Sequence, residues 1–316
     1  MFGHGTFVYD PAFALTKYGS AAKVAEAAAS LGMSHAWLRV HNATGPWRTI
    51  ENKKLAEAFR AAGISVGVWG WNDGNNVQAD ITNMRAAIET YRPDCYIADI
   101  EHTVNGANWN PPKAATFTAA ARQALEGKPL VVSSFGYIRT HQPEIMAAAN
   151  QHADYFAPQV YWFWFPKPWM LSEPELSGLP TSDPAAYVKV CLHHWRKTVS
   201  KPLIVTGQAY WGEANGWTTT TAEDKLNSFL SSFDGYGEIA GLNWWNFADR
   251  KAMSAKMFEA IRAAKLGAKP YAGAAHEASA TDAGYSALEA AASPARARGS
   301  RRRTASSASS TTRNAF

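Results

Sequence analysis

Two cysteines in 316 residues, Cys95 and Cys191, are too few for a disulfide framework, and they show no zinc-type spacing. The chain also lacks a Gly-rich phosphate loop and a His-Glu-x-x-His helix. Ser133-Ser134-Phe135-Gly136 does not form a Gly-x-Ser-x-Gly elbow. His193 and His194 are neighbours on a helix-like segment and so should point in different directions, a poor metal pair. These absences argue against metal, nucleotide and serine-nucleophile chemistry, and neither a metal nor a cofactor is expected. No run of about 18 apolar residues occurs, so no membrane span and no membrane partner are expected. Met1–Asp10 has no basic stretch followed by an apolar one, so no secretory signal is expected. Charged residues are sparse at 18%. Of the net charge of +5, seven Lys/Arg against three acids place +4 beyond Gly267. The remaining body, near +1, argues against a nucleic-acid partner; only weak anionic contacts through the tail are expected.

Apolar and aromatic residues are plentiful, at 47% hydrophobic with 13 Trp. Strand-like runs recur at Gly5–Asp10, Ala36–His41, Ser65–Trp71, Cys95–Glu101, Leu130–Phe135, Phe156–Trp162, Leu203–Tyr210 and Ala240–Asn246. A segment with helical periodicity follows each, from Ala21–Leu31 to Ala252–Lys265. Gly32, Gly63 and Gly127 stand where C-terminal caps belong. Asp183-Pro184 and Thr221-Ala222-Glu223-Asp224 read as N-caps. Eight strand–helix units over residues 1–266 predict a (β/α)₈ TIM barrel, with a doubly wound sheet as the second choice. Residues 267–316, rich in Ala, Ser and Arg, read as a disordered basic tail.

The segment Asp94-Cys95-Tyr96-Ile97-Ala98-Asp99-Ile100-Glu101 carries the chemistry. Alternation puts Ile97, Asp99 and Glu101 on one strand face, with the two carboxylates roughly 6–7 Å apart. Paired acids at the end of an apolar strand are costly unless they are used or neutralised. Glycoside hydrolysis uses such a pair, one acid protonated and one ionised. A strand end neutralised by Arg or Lys is the bland alternative.

Other strand ends carry related chemistry. Asp10, before Pro11, is either a third inward carboxylate or a helix cap. Arg39 shares a strand face with His41 and suits a carboxylate, a sugar hydroxyl or a structural ion pair. Trp69, Trp71, Gln159, Tyr161, Gln208, Tyr210, Asn243 and Trp245 place aromatic rings beside amides. A ring covers the apolar face of a pyranose while amides bind its hydroxyls, so these are candidate substrate contacts. Trp37 reads instead as filling between strands and helices.

On Asp99-Ile100-Glu101, Asp10, the Val66-Gly67-Val68-Trp69 run and Leu242-Asn243-Trp244-Trp245, the chain resembles the glycoside hydrolase-like barrels, in particular family-25 lysozymes. The strand-1 phrase of that family is replaced by Tyr9-Asp10-Pro11, and its late Trp-Gln pair is missing. A partial likeness to the chitinase signature breaks at Ile97, where an Asp belongs, and at Trp162. The resemblance implies Glu101 as general acid, with Asp99 or Asp10 supporting the charged transition state. It implies a polysaccharide containing N-acetylhexosamine, with cell-wall peptidoglycan foremost. The competing expectation is a non-catalytic carbohydrate-binding barrel, perhaps phage-associated. Without a leader, the protein would be made in the cytoplasm and then released by lysis or carried on a phage particle.

Overall fold

The computed structural model describes residues 3–163, 165–209, 218–233, 239–248 and 254–264. Its strands are β1 (Gly3–Val8), β2 (Met33–Asn42), β3 (Gly45–Pro46), β4 (Ser65–Asn72), β5 (Cys95–Ile100), β6 (Leu130–Phe135), β7 (Tyr155–Gln159), β8 (Leu203–Gln208) and β9 (Ile239–Trp245). Its helices are α1 (Pro11–Tyr18), α2 (Ala21–Ser30), α3 (Thr49–Ala61), α4 (Val77–Tyr91), α5 (Pro111–Ala124), α6 (Pro143–Ala149), α7 (Pro184–Thr198), α8 (Thr219–Ser231) and α9 (Ala255–Ala263). All strands but β3 pair in parallel in the order β1-β9-β8-β7-β6-β5-β4-β2, and β1 also pairs with β2. The sheet therefore closes into the predicted TIM barrel. Strand β3 is a two-residue antiparallel return against β2. The predicted tail, 267–316, lies outside the described residues. Among the described residues no helix is long and apolar enough to cross a membrane.

Two apolar layers follow from strand alternation. Phe7, Trp37, Trp69, Cys95, Ile97, Val131, Ala157 and Ile204 pack together inside the barrel. Tyr96, Ala98 and Ile100 face outward into the strand–helix layer. Trp37 is buried, but inside the barrel rather than beneath the helices. Gly67 makes this possible, because a Cβ there would lie 2.3 Å from the Trp37 ring. Both cysteines are buried, in β5 and α7.

The helix signals act as read, with two differences. Gly32, Gly63 and Gly127 take left-handed φ values of +74°, +74° and +90° after their helices. The Asp183 side chain accepts from the Ala185 N–H to start α7. Helix α8 is capped by Thr218, three residues before the predicted signal. Helix α1 is additional to the helical segments that the sequence predicts. Pro11 occupies its first turn, and Asp10 is its N-cap.

Candidate active site

A cleft of about 420 Å³ opens at the C-terminal ends of the strands, where barrel loops converge. Asp99 projects into it from β5 in register with Trp71 of β4 and Ser133 of β6. Glu101 follows one pleat later, just beyond the strand. The face shared by Ile97, Asp99 and Glu101 thus runs from dry core to cleft floor. Ile97 is fully buried among Trp37, Val131 and other apolar neighbours, which explains why no acid stands there.

One amide joins the two acids. Gln159 Nε2 donates to Glu101 Oε1 at 2.6 Å and to Asp99 Oδ1 at 3.3 Å. These two contacts cap the oxygen–oxygen separation at about 6 Å, the sum of the two distances. Tyr161 Oη lies 3.4 Å from Gln159 Oε1, to which it donates. Burial, then the nearby Glu101, push the Asp99 carboxyl well above the ordinary carboxylate range, against the opposing pull of Arg39. Burial also raises Glu101, partly offset by the Gln159 hydrogen bond. Burial therefore weights both carboxyls toward their protonated forms, most strongly the deeper Asp99, and acids this close share their titration.

Aromatic rings wall the cleft. Trp245 packs against Phe7, Tyr9 and Trp69 at centroid distances of 5.4, 5.5 and 5.5 Å. Trp71 completes the wall. Arg39 enters between the Tyr9, Trp47 and Trp69 rings. His41 does not join it. The β2–β4 register shifts between Arg39 and His41, and this bulge turns His41 outward onto Tyr96 Oη at 2.8 Å. Gly70 leaves room for that ring, because a Cβ there would meet it at 2.1 Å.

Eight predicted site residues converge on the cleft: Asp99, Glu101, Arg39, Trp69, Trp71, Gln159, Tyr161 and Trp245. Three do not. Asp10 Oδ1 accepts from the Ala12 and Phe13 N–H groups at 3.1 Å, so its carboxylate serves α1. Asn243 is fully buried, and its Oδ1 accepts from Trp37 Nε1 and pairs with His35 Nε2 deep in the barrel. Gln208 is buried outside the cleft wall, at a strand end whose carbonyl takes the Trp162 indole N–H. Tyr210 lies outside the described residues.

Sequence reasoning missed Phe7, Tyr9, Asp73, Ser133 and Thr206, all of which line the cleft. Strand parity would have found two of them: Ser133 and Thr206 sit two residues beyond the interior Val131 and Ile204. The loop after Glu101 was also unreadable. Thr103 and Asn105 there take φ of 72° and 48°, strained values for side-chain-bearing residues that cost about 1–3 kcal/mol each.

Away from the cleft, Glu173 draws in both His193 and His194, at 2.8 and 3.7 Å. The two rings converge because the acid reaches them from a loop, contrary to the sequence expectation. Arg139 and Lys197 also hold Glu173, at 3.0 and 2.7 Å. Two fixed cations beside the only acid of that cluster favour an ion-pair network over a divalent metal.

No protein-family model matches the sequence, and no curated protein matches it. Solved structures do match. A chitinase from Bacteroides thetaiotaomicron superposes with a TM-score of 0.56 at 13% identity, covering 83% of this chain and 95% of its own. The ICChI chitinase from Ipomoea carnea gives 0.54 at 12%, covering 82% and 98%. A GH5_18 protein from Bifidobacterium longum subsp. infantis gives 0.57 at 9%, covering 83% and 77%. At such identities the likeness establishes the fold: this chain is a (β/α)₈ barrel of the architecture found in glycoside hydrolases.

Proposed function

We propose that the chain is a glycoside hydrolase acting on a polysaccharide that contains N-acetylhexosamine, with peptidoglycan as the leading substrate. The observation that carries this reading is the Asp99–Glu101 pair bridged by Gln159 at the floor of an aromatic-walled cleft. Glu101, at the cleft surface, protonates the leaving glycosidic oxygen as the C1–O bond breaks. Asp99, more enclosed, shares the proton with it and orients the reacting sugar. With Asp10 committed to α1, no carboxylate answers the pair from the first strand. The nucleophile that suits this arrangement is the substrate's own acetamido oxygen, which closes on C1 to give an oxazolinium ion. Water then adds to C1, losing a proton to the Glu101 carboxylate, and the anomeric configuration is retained. Tyr161 and Gln159 lie where they can hold the acetamido group, and Trp245 offers a ring face to the pyranose. Two of the similar folds are chitinases, which fits an acetamido-bearing substrate.

Reducing-end release from chitotetraose and clearing of purified cell walls test the reading. Release of oligosaccharides from either substrate supports it. Binding to both without cleavage across pH 4–8 replaces it with the non-catalytic carbohydrate-binding barrel.

A further inference from the structure

We propose that the end of the cleft beside Arg39 binds a carboxylate on the sugar adjoining the N-acetylhexosamine, which makes the substrate an acidic glycan. This rests on the glycosidase reading of the same cleft and names its substrate class.

The guanidinium of Arg39 is caged by aromatic faces. Its Cζ lies 4.7 Å from the Tyr9 ring centroid, 4.9 Å from Trp47 and 5.6 Å from Trp69. Its Nε is buried without a hydrogen-bond partner. Among the described residues no carboxylate forms an ion pair with it. Asp99 is the acid that feels its field, yet burial opposes the charge on that acid. The segment after Arg39 adds the uncharged Asn42, Ala43 and Thr44 to the cleft lining, and Asp73 joins that lining from beyond β4.

A permanent cation pressed against rings and left unpaired is costly in an empty cleft. Cation–π contacts recover part of that cost and fix the orientation of the fork. A neutral hydroxyl needs no such cation. A carboxylate matches the planar guanidinium with two parallel hydrogen bonds. Two sugars offer that chemistry beside an N-acetylhexosamine: a uronic acid, and muramic acid through its lactyl group when no peptide is attached.

Isothermal titration of the full chain carrying Glu101→Gln separates these cases. The three ligands are chitotetraose, a hyaluronan tetrasaccharide for the uronate source, and a peptide-free peptidoglycan tetrasaccharide for the lactyl source. One acidic ligand is expected to bind about tenfold more tightly than chitotetraose, the scale of one charge-assisted contact. The preference should fade in 0.5 M NaCl and vanish in Arg39→Met, where the acidic ligand loses about tenfold more affinity than chitotetraose does. Equal affinity for all three ligands, or an equal loss for all three in Arg39→Met, overturns the proposal. If Arg39→Met loses its near-ultraviolet circular dichroism, the salt series on the parent and on Arg39→Lys decides. Chitotetraose cleaved by the wild type without any acidic preference sinks this inference and leaves the glycosidase standing. A selective binder that cleaves nothing does the reverse.

Discussion

Gln159 Nε2 stands 2.6 Å from Glu101 and 3.3 Å from Asp99, so a single amide on β7 restrains both acids at the end of β5. Its bond to Glu101 favours the ionised carboxylate. Gln159→Ala removes that bias, so Glu101 should hold its proton to higher pH. The alkaline limb of the kcat/KM profile is predicted to move upward in pH, and kcat to fall about 10- to 100-fold. An unmoved limb would show that the amide only fills space.

Asp99 lies in a setting that resists its ionisation. A carboxyl raised in the folded state binds more protons than in the unfolded chain above its ordinary pKa, so it costs stability as pH climbs. Asp99→Asn should therefore raise the thermal midpoint at pH 7 by a few degrees while lowering activity. At pH 3.5, where the acid is mostly protonated in both states, the gain should shrink. Calorimetry at the two pH values checks the sign.

The histidines work in the opposite direction. Burial lowers His35 and His41 to about 4. The unfolded chain binds more protons on these groups between about pH 6.5 and 4, so their share of stability is lost as pH falls through that window. Each contributes a slope of about 1.4 kcal/mol per pH unit there. Denaturant unfolding at pH 4.5 and 6.5 should show a drop that is smaller in His41→Asn.

Asp10 offers a clean separation of cap from catalyst. Asp10→Ala removes two hydrogen bonds to the first turn of α1 and should cost about 1 kcal/mol. Its kcat/KM should stay within about twofold of the wild type. A loss of 10²-fold or more would return Asp10 to the catalytic machinery.

These residues also show what could be read ahead of the coordinates. The barrel was legible because eight strand-like runs alternate with helical periodicity, and five of the helices carry a cap signal. Asp99 and Glu101 were legible because strand parity fixes both to the face that Ile97 starts. Asp10 stayed open in the sequence because its position at a strand end fits two roles, and its bonds to the first turn of α1 show the cap. The same Asp-Pro signature at Asp183-Pro184 also caps a helix. His41 misled because a one-residue bulge reverses parity, and no residue type marks it. Asn243 misled because an amide at an apparent strand end is as useful to a buried Trp37 and His35 as to a sugar. Arg39 could be located, but its aromatic cage comes from three separate segments that only the closed barrel brings together.

Single-turnover hydrolysis by Glu101→Gln, set beside the wild type on whichever glycan the wild type cleaves, tests the central claim most directly. A general acid that cannot protonate the leaving oxygen should lower the rate by at least about 10³-fold while ligand affinity holds within a few-fold. Turnover within tenfold of the wild type would contradict the assignment of Glu101 as the acid.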